Sequence, residues 1–164
     1  DFNNFSMIKR NLLGAVPIPE KNCHPMPVNA KDAQAAAYQY IEHLKKFFNL
    51  KEGELPRFDL SLLGVGEDGH TASLFQVVPH WMEKSCFVIP LKHPQVEYER
   101  LSLTLPVLNN SRHAIFFIHG EKKADILYRI LRADEKLPSA CIQPKNGELH
   151  FWLDREAGKK IYIL

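Results

Sequence analysis

Apolar positions along the chain recur in two rhythms, and the way these alternate predicts an α/β order of elements. Over residues 5–16, Met7, Ile8, Leu12 and Leu13 fall at helical spacing, with Lys9 and Arg10 on the other side. Gly14 and Pro17 end that pattern. The four prolines between positions 17 and 27 exclude regular helix there. Residues 29–50 predict the strongest helix, rich in alanine at its start, with Asp32 near the positive end of the dipole. Its stripe of Tyr40, Ile41, Leu44, Phe47 and Phe48 reads as the core-facing side of a crossover helix. Gly53 and Pro56 mark the loop into an apolar run at 58–63, short as a buried strand is. Further strands are predicted at 86–91, at 100–106 where apolar and polar residues alternate, and at 114–118, 149–153 and 161–164. A loop is predicted at His93-Pro94, and Pro79 cuts short any helix after residue 75. A helix is predicted from Gly120 through Leu131, with Ile126, Leu127, Ile130 and Leu131 inward, and Asp154 reads as a helix cap.

Composition narrows the classes. The 164 residues, 45% hydrophobic and 24% charged, suffice for one domain, residues 1–164, with a real core. A net charge of +2 makes no case for nucleic acid or an anionic membrane surface. No apolar run approaches the ~20 residues of a membrane helix, and no signal peptide is visible. Cys23, Cys86 and Cys141 are odd in number and scattered, which suggests neither a disulfide framework nor a zinc site. A reducing, cytoplasmic setting fits them. Cys23-His24 has no second pair at ligand spacing and reads as part of a loop. The chain starts at Asp1 without Met, and its first residues read as the middle of a domain.

Candidate chemistry concentrates in Leu63-Gly64-Val65-Gly66-Glu67-Asp68-Gly69-His70-Thr71-Ala72-Ser73-Leu74-Phe75. Three glycines within six residues break regular structure just after a strand, with two carboxylates between them and a histidine directly after the last. Open α/β sheets place ligands at such turns. Gly64, Gly66 and Gly69 also spell the dinucleotide fingerprint. Glu67 and Asp68 would set two negative charges beside its pyrophosphate, and Pro79 leaves little room for its helix, so a nicotinamide or flavin site is disfavoured.

The full string from Leu63 to Phe75 closely resembles the signature of the 6-phosphogluconolactonases, sugar-phosphate hydrolases of the glucosamine-6-phosphate isomerase/6-phosphogluconolactonase superfamily. Gln76 stands where that family usually has proline. The related glucosamine-6-phosphate deaminases share Asp-Gly-His but continue into a segment with a catalytic glutamate, and residues 71–76 hold none. A second, independent match runs from Arg100 through Ser111. Asn3-Asn4-Phe5, Asn22-Cys23-His24-Pro25 (a short strand in the family), Lys123-Ala124 after Gly120, and the segment from Pro138 to Ile142 resemble the family as well. The resemblance covers essentially the whole chain, while the chain corresponds to the C-terminal part of the family domain. An upstream Gly-Gly-Ser/Thr phosphate loop has no counterpart, so the expectation is a fragment or a shortened product.

The resemblance implies a fold and a reaction. The fold is an α/β three-layer sandwich with a mostly parallel, Rossmann-like sheet, its N-terminal part missing. The reaction is hydrolysis of 6-phospho-D-glucono-1,5-lactone to 6-phospho-D-gluconate. An imidazole accepts a proton in the neutral range, which suits His70 for activating water. Asp68, two residues away, orients that ring or binds a sugar hydroxyl. Backbone N–H groups around Gly66 and Gly69 are candidates for the oxyanion. Arg100, as a fork, and Lys123, as a point charge, are candidates for the phosphate; from the pattern alone Lys123 is a solvated lysine. Gly64, Thr71 and Asn4 complete the expected substrate contacts. The implied partner is a phosphorylated sugar lactone, with no nucleic acid, membrane, cofactor or metal, and the chain is expected to be a monomer or weak homodimer. His24, His43, His80, His93, His113, His119 and His150 read as surface or loop residues. Alternatives are a glucosamine-6-phosphate deaminase-like enzyme and a truncated, non-catalytic sugar-phosphate-binding domain.

Overall fold

The two rhythms become a parallel sheet backed by helices and a separate antiparallel strand pair under a long helix. The computed structural model describes residues 4–27, 29–78, 86–92, 98–134 and 136–161. In chain order the elements are α1 (Asn4–Ile8), α2 (Ala33–Phe47), β1 (Leu60–Leu63), β2 (Val88–Lys92), β3 (Glu99–Leu103), α3 (Leu105–Leu108), β4 (His113–Ile118), α4 (Ala124–Leu131), β5 (Glu148–Leu153) and α5 (Arg155–Gly158). The sheet runs β1-β4-β5, with Leu60 beside His113 and His113 beside Glu148, all parallel. β2 and β3 pair antiparallel, Val88 against Leu103. The α/β class with a mostly parallel sheet is thus as predicted.

Alternation along β4 decides where the core sits. Ala114, Phe116 and Ile118 are buried and meet Ile126, Leu127 and Ile130 of α4 and Ala157 of α5. Phe116 stacks on Phe151 with ring centroids 5.4 Å apart. A second cluster joins Ala37 and Leu44 of α2 to Phe87, Val88 and Val107. The other face of the sheet is open: Leu60, Leu62, Phe117 and Trp152 are 50%, 58%, 47% and 56% exposed. At the N-terminal end of β5, Gly147 lets two backbones touch. A Cβ there would lie 2.2 Å from the Ser111 carbonyl oxygen and 2.7 Å from that of Arg112.

Several boundaries differ from the sequence reading, each for a local reason. α2 is shorter than 29–50 because Asp32 is its cap, accepting a 2.7 Å bond from the Ala35 N–H. It stops before Asn49, which takes φ 50°. The helical pattern at 5–16 forms α1 and then widens into a π-helix at Lys9–Leu13, and neither buries a residue. The strand expected at 22–25 does not form. Glu20–Asn22 is a 3-10 turn, and Pro25 and Pro27 have no N–H to give a ladder. The strand at 100–106 ends at Leu103, since Pro106 sits in the first turn of α3. The helix from Gly120 is a 3-10 turn, Glu121–Lys123, followed by α4, and Leu131 points outward at 46% exposure. His43 on α2 and His113 on β4 are exposed, as surface residues are expected to be, and His150 on β5 is partly exposed. Pro79, His80, His93-Pro94 and the strand end at 162–164 lie outside the described residues; Ile161 is in a turn.

Candidate active site

The glycine-rich loop leaves β1 at Leu63 and closes on itself. At its neck the hydroxyl of Thr71, fully buried, donates to the Gly64 carbonyl at 2.9 Å. Further out, the Gly66 N–H donates to the His70 carbonyl at 2.9 Å and the Gly69 N–H to the Gly66 carbonyl at 3.0 Å. Gly69 takes φ +87°, and a Cβ there would lie 2.6 Å from Leu137 Cδ2. From outside, the Ser139 N–H donates to the Gly69 carbonyl at 3.1 Å. The turn is therefore clamped from the 3-10 turn Pro138–Cys141, about seventy residues downstream.

That turn presents Asp68 and His70 to each other. His70 Nδ1 lies 2.6 Å from Asp68 Oδ1, and the His70 backbone N–H reaches the same oxygen at 3.2 Å. Partial burial pushes the Asp68 carboxyl up, but the backbone and ring donors of His70 together outweigh it and hold it below its ordinary value. An ionised carboxylate only accepts, so Nδ1 is the donor and Nε2 carries the lone pair. Among the described residues nothing bonds Nε2. The ring is about one third exposed, with side-chain accessibility of 30%, and its outer face is flanked by Phe75 at 4.9 Å between centroids. Gly66 makes the arrangement sterically permissible. A Cβ on it would lie 2.2 Å from His70 Nδ1 and 2.3 Å from Asp68 Oδ1.

The loop after the C-terminal end of β4 reaches this one and is braced in turn by the start of α5 after β5, as the topology of open α/β sheets provides. Lys123, in the turn after β4, donates from Nζ to the Val65 carbonyl at 2.8 Å, which leaves two ammonium donors for other acceptors. Gly120, at φ +90°, gives its N–H to both oxygens of Asp154, at 3.0 and 2.8 Å. Asp154 also accepts from the Ala157 N–H at 2.8 Å, so it caps α5 as the sequence implies. Contacts with Ala157, opposed by desolvation and aided by Gly120, hold its carboxyl below the ordinary range.

The remaining predicted residues divide. Arg100 on β3 lies with its guanidinium 5.5 Å from the Tyr98 ring centroid. It shares a strand face with Ser102, whose hydroxyl accepts the Ser73 N–H at 3.2 Å, so β3 touches the loop two residues from Arg100. No bond joins Arg100 to Asp68 or His70 among the described residues. Asn4 opens the exposed α1, and none of its described contacts reaches the loop. Gly64 borders open space and contributes its carbonyl. The N–H groups of Gly66 and Gly69, candidates for the oxyanion, are both spent inside the turn. The Glu67 N–H, at the corner, has no partner among the described residues. The sequence assigns no role to Val65, Phe75, Leu137 or Ser139, although three of them lie in segments that resemble the family, because apolar or small residues carry no chemical signal of their own. Among the described residues, no third metal-ligating atom gathers with those of Asp68 and His70.

Comparison with known proteins follows the same lines. The family model for glucosamine-6-phosphate isomerases/6-phosphogluconolactonase matches residues 1–151. The 6-phosphogluconolactonase of Synechocystis sp. is 37% identical over 163 residues, covering 97% of this chain and 66% of that protein. That of Homo sapiens is 38% identical over 165 residues, covering 98% of this chain and 62% of that protein. The chain thus spans 62–66% of the length of these curated relatives. The three-dimensional structure of 6-phosphogluconolactonase from Trypanosoma brucei superposes with a TM-score of 0.78 at 26% identity, covering 96% of this chain and 67% of that one. Because the family match takes in the parallel sheet and the clamped Asp68–His70 turn together, the chain belongs to the glucosamine-6-phosphate isomerase/6-phosphogluconolactonase family.

Proposed function

We propose that the chain hydrolyses 6-phospho-D-glucono-1,5-lactone to 6-phospho-D-gluconate, with His70 as general base. The observation that carries this reading is the 2.6 Å Asp68–His70 pair with Nε2 unbonded among the described residues, in a chain 37–38% identical to 6-phosphogluconolactonases. Asp68 holds the ring in the tautomer that leaves Nε2 basic, and its charge stabilises the imidazolium that forms. Nε2 takes a proton as water oxygen attacks the lactone carbonyl. On collapse of the tetrahedral intermediate the ring C–O bond breaks, and the alkoxide leaves with the proton from Nε2. The unpartnered Glu67 N–H is the loop donor for the oxyanion. Lys123, held at the loop through Val65, binds the phosphate, and Arg100 supplies a second cation from β3. The substrate-side roles of Gly64, Gly66, Gly69 and Thr71 are to shape and pin this turn. Asn4 is assigned to the substrate by resemblance alone. The enzyme works as a monomer or weak homodimer in the cytoplasm, in keeping with three cysteines of which none forms a disulfide.

The test is hydrolysis of lactone generated from glucose 6-phosphate, corrected for the spontaneous rate. Turnover above background that disappears in His70→Ala is expected. Near-normal turnover in that variant refutes His70 as base. Ammonia release from glucosamine 6-phosphate would instead make the chain a deaminase. A folded chain that binds 6-phosphogluconate without turnover would be a sugar-phosphate-binding domain.

A further inference from the structure

Three side chains with metal-binding chemistry meet far from the glycine loop. His113 is the first residue of β4, and Glu148 and His150 are the first and third of β5. The parallel register sets His113 directly beside Glu148, and the period of two puts His150 on the same face. Glu148 Oε2 lies 3.5 Å from His113 Nδ1 and 3.0 Å from His150 Nε2. The donor atoms of all three lie within 4.8 Å of one another. With bonds of ~2.0–2.1 Å, a tetrahedral zinc ion sets its donors about 3.4 Å apart, so the two gaps to Glu148 bracket the required spacing. The backbone beneath is fixed by the Glu148 N–H on the Arg112 carbonyl, at 2.8 Å, and by the close approach at Gly147. The neighbouring Asp59 carboxylate is already paired with Arg112 at 2.9 Å.

We propose that His113, Glu148 and His150 form a binding site for a borderline divalent cation, of which Zn²⁺ and Co²⁺ are the probes. Two imidazoles and one carboxylate select this class over Mg²⁺ or Ca²⁺, which take oxygen ligands. All three side chains reach solvent, so water completes the coordination. The site lies at the N-terminal ends of β4 and β5, whereas the Asp68–His70 loop follows the C-terminal end of β1. It is therefore a clip that ties two strands together and takes no part in the hydrolysis.

Co²⁺ titration with visible absorption reads coordination directly, and thermal unfolding with and without Zn²⁺ reads the clip. One Co²⁺ per chain with ligand-field bands, and a Tm that rises with Zn²⁺, are expected. Loss of even an outer partner costs such sites about 10–100-fold in affinity, so His150→Ala and Glu148→Gln should each weaken binding by more than tenfold. His43→Ala should keep it, although His43 Nε2 lies 3.0 Å from His24 Nδ1 in the other exposed histidine pair. Glu148→Gln is isosteric and exposed, and decides the matter alone if a histidine variant misfolds. Undiminished binding in Glu148→Gln, binding lost in His43→Ala instead, or no Co²⁺ bands in the unaltered chain would each overturn the proposal.

Discussion

Substituting Gly66 by alanine would separate the assembly of the Asp68–His70 pair from the stability of the fold. The added Cβ would stand 2.2 Å from His70 Nδ1, 2.3 Å from Asp68 Oδ1 and 2.4 Å from His70 Cε1. Carbon contacts settle near 3.5–4.0 Å, so these atoms must retreat by more than about 1 Å. The clashing atoms are the ends of two side chains open to solvent, so the retreat is a rotation away from the turn and not a deformation of it. Gly66 is not among the residues at positive φ, and alanine fits its backbone. The gain from a stiffer unfolded chain, ~0.4–1 kcal/mol, roughly offsets the lost hydrogen bond, ~0.5–1.5 kcal/mol. Tm should then move by no more than about 4 °C. A displacement of ~1 Å in a catalytic group costs about 10²-fold, close to 2.7 kcal/mol of barrier. Lactonase kcat/KM of Gly66→Ala, measured beside its Tm, should therefore fall about a hundredfold at nearly constant stability. Activity within threefold of the unaltered chain would refute the steric account, and so would a loss of activity matched by a large drop in Tm.

Other perturbations test the frame around the site. Thr71→Val keeps the shape and removes the 2.9 Å bond from the buried Thr71 hydroxyl to the Gly64 carbonyl; Gly64 is exposed, so water can take the donor's place, and urea unfolding should register a loss of ~0.5–1.5 kcal/mol. Phe116→Ala empties the centre of the core, where the ring is fully buried and stacked on Phe151, and should cost ~3–5 kcal/mol by the same assay. Asp154→Asn should lower Tm at neutral pH and flatten the acid side of the stability profile. The Asp154 carboxyl titrates below its unfolded value, so its contribution is complete above the ordinary carboxylate range and fades as pH falls through the lowered value. Tm measured from pH 7 down to pH 3 should show the two proteins converging toward acid.

Legibility in the sequence followed the range of the forces involved. β4 could be read because a short apolar run reports a buried strand, and α4 because helical spacing reports one buried face; both met the same cluster. Residues 5–16 carry an equally clear stripe, yet α1 buries nothing, because amphipathicity specifies a face and not what covers it. Strand order and the antiparallel turn of β2 against β3 rest on contacts between distant residues and leave no local trace. At the site, the resemblance of the string from Leu63 to Phe75 to the family signature marked both Asp68 and His70. That Gly66 must lack a Cβ, and that its N–H and that of Gly69 are already committed, depends on how the turn closes. The grouping of His113 with Glu148 and His150 exists only through the register of two strands, which no spacing rule encodes.

The order β1-β4-β5 also sets a clock for the newborn chain. Leu60 pairs with His113, so β1 is made about fifty residues before the strand that completes it. At a synthesis rate of ~5–20 residues per second, it waits roughly 3–10 s for β4 to be made. β5 arrives some seconds later still. The pace of translation between residues 64 and 112 therefore sets how long β1 stands without the strand it pairs with.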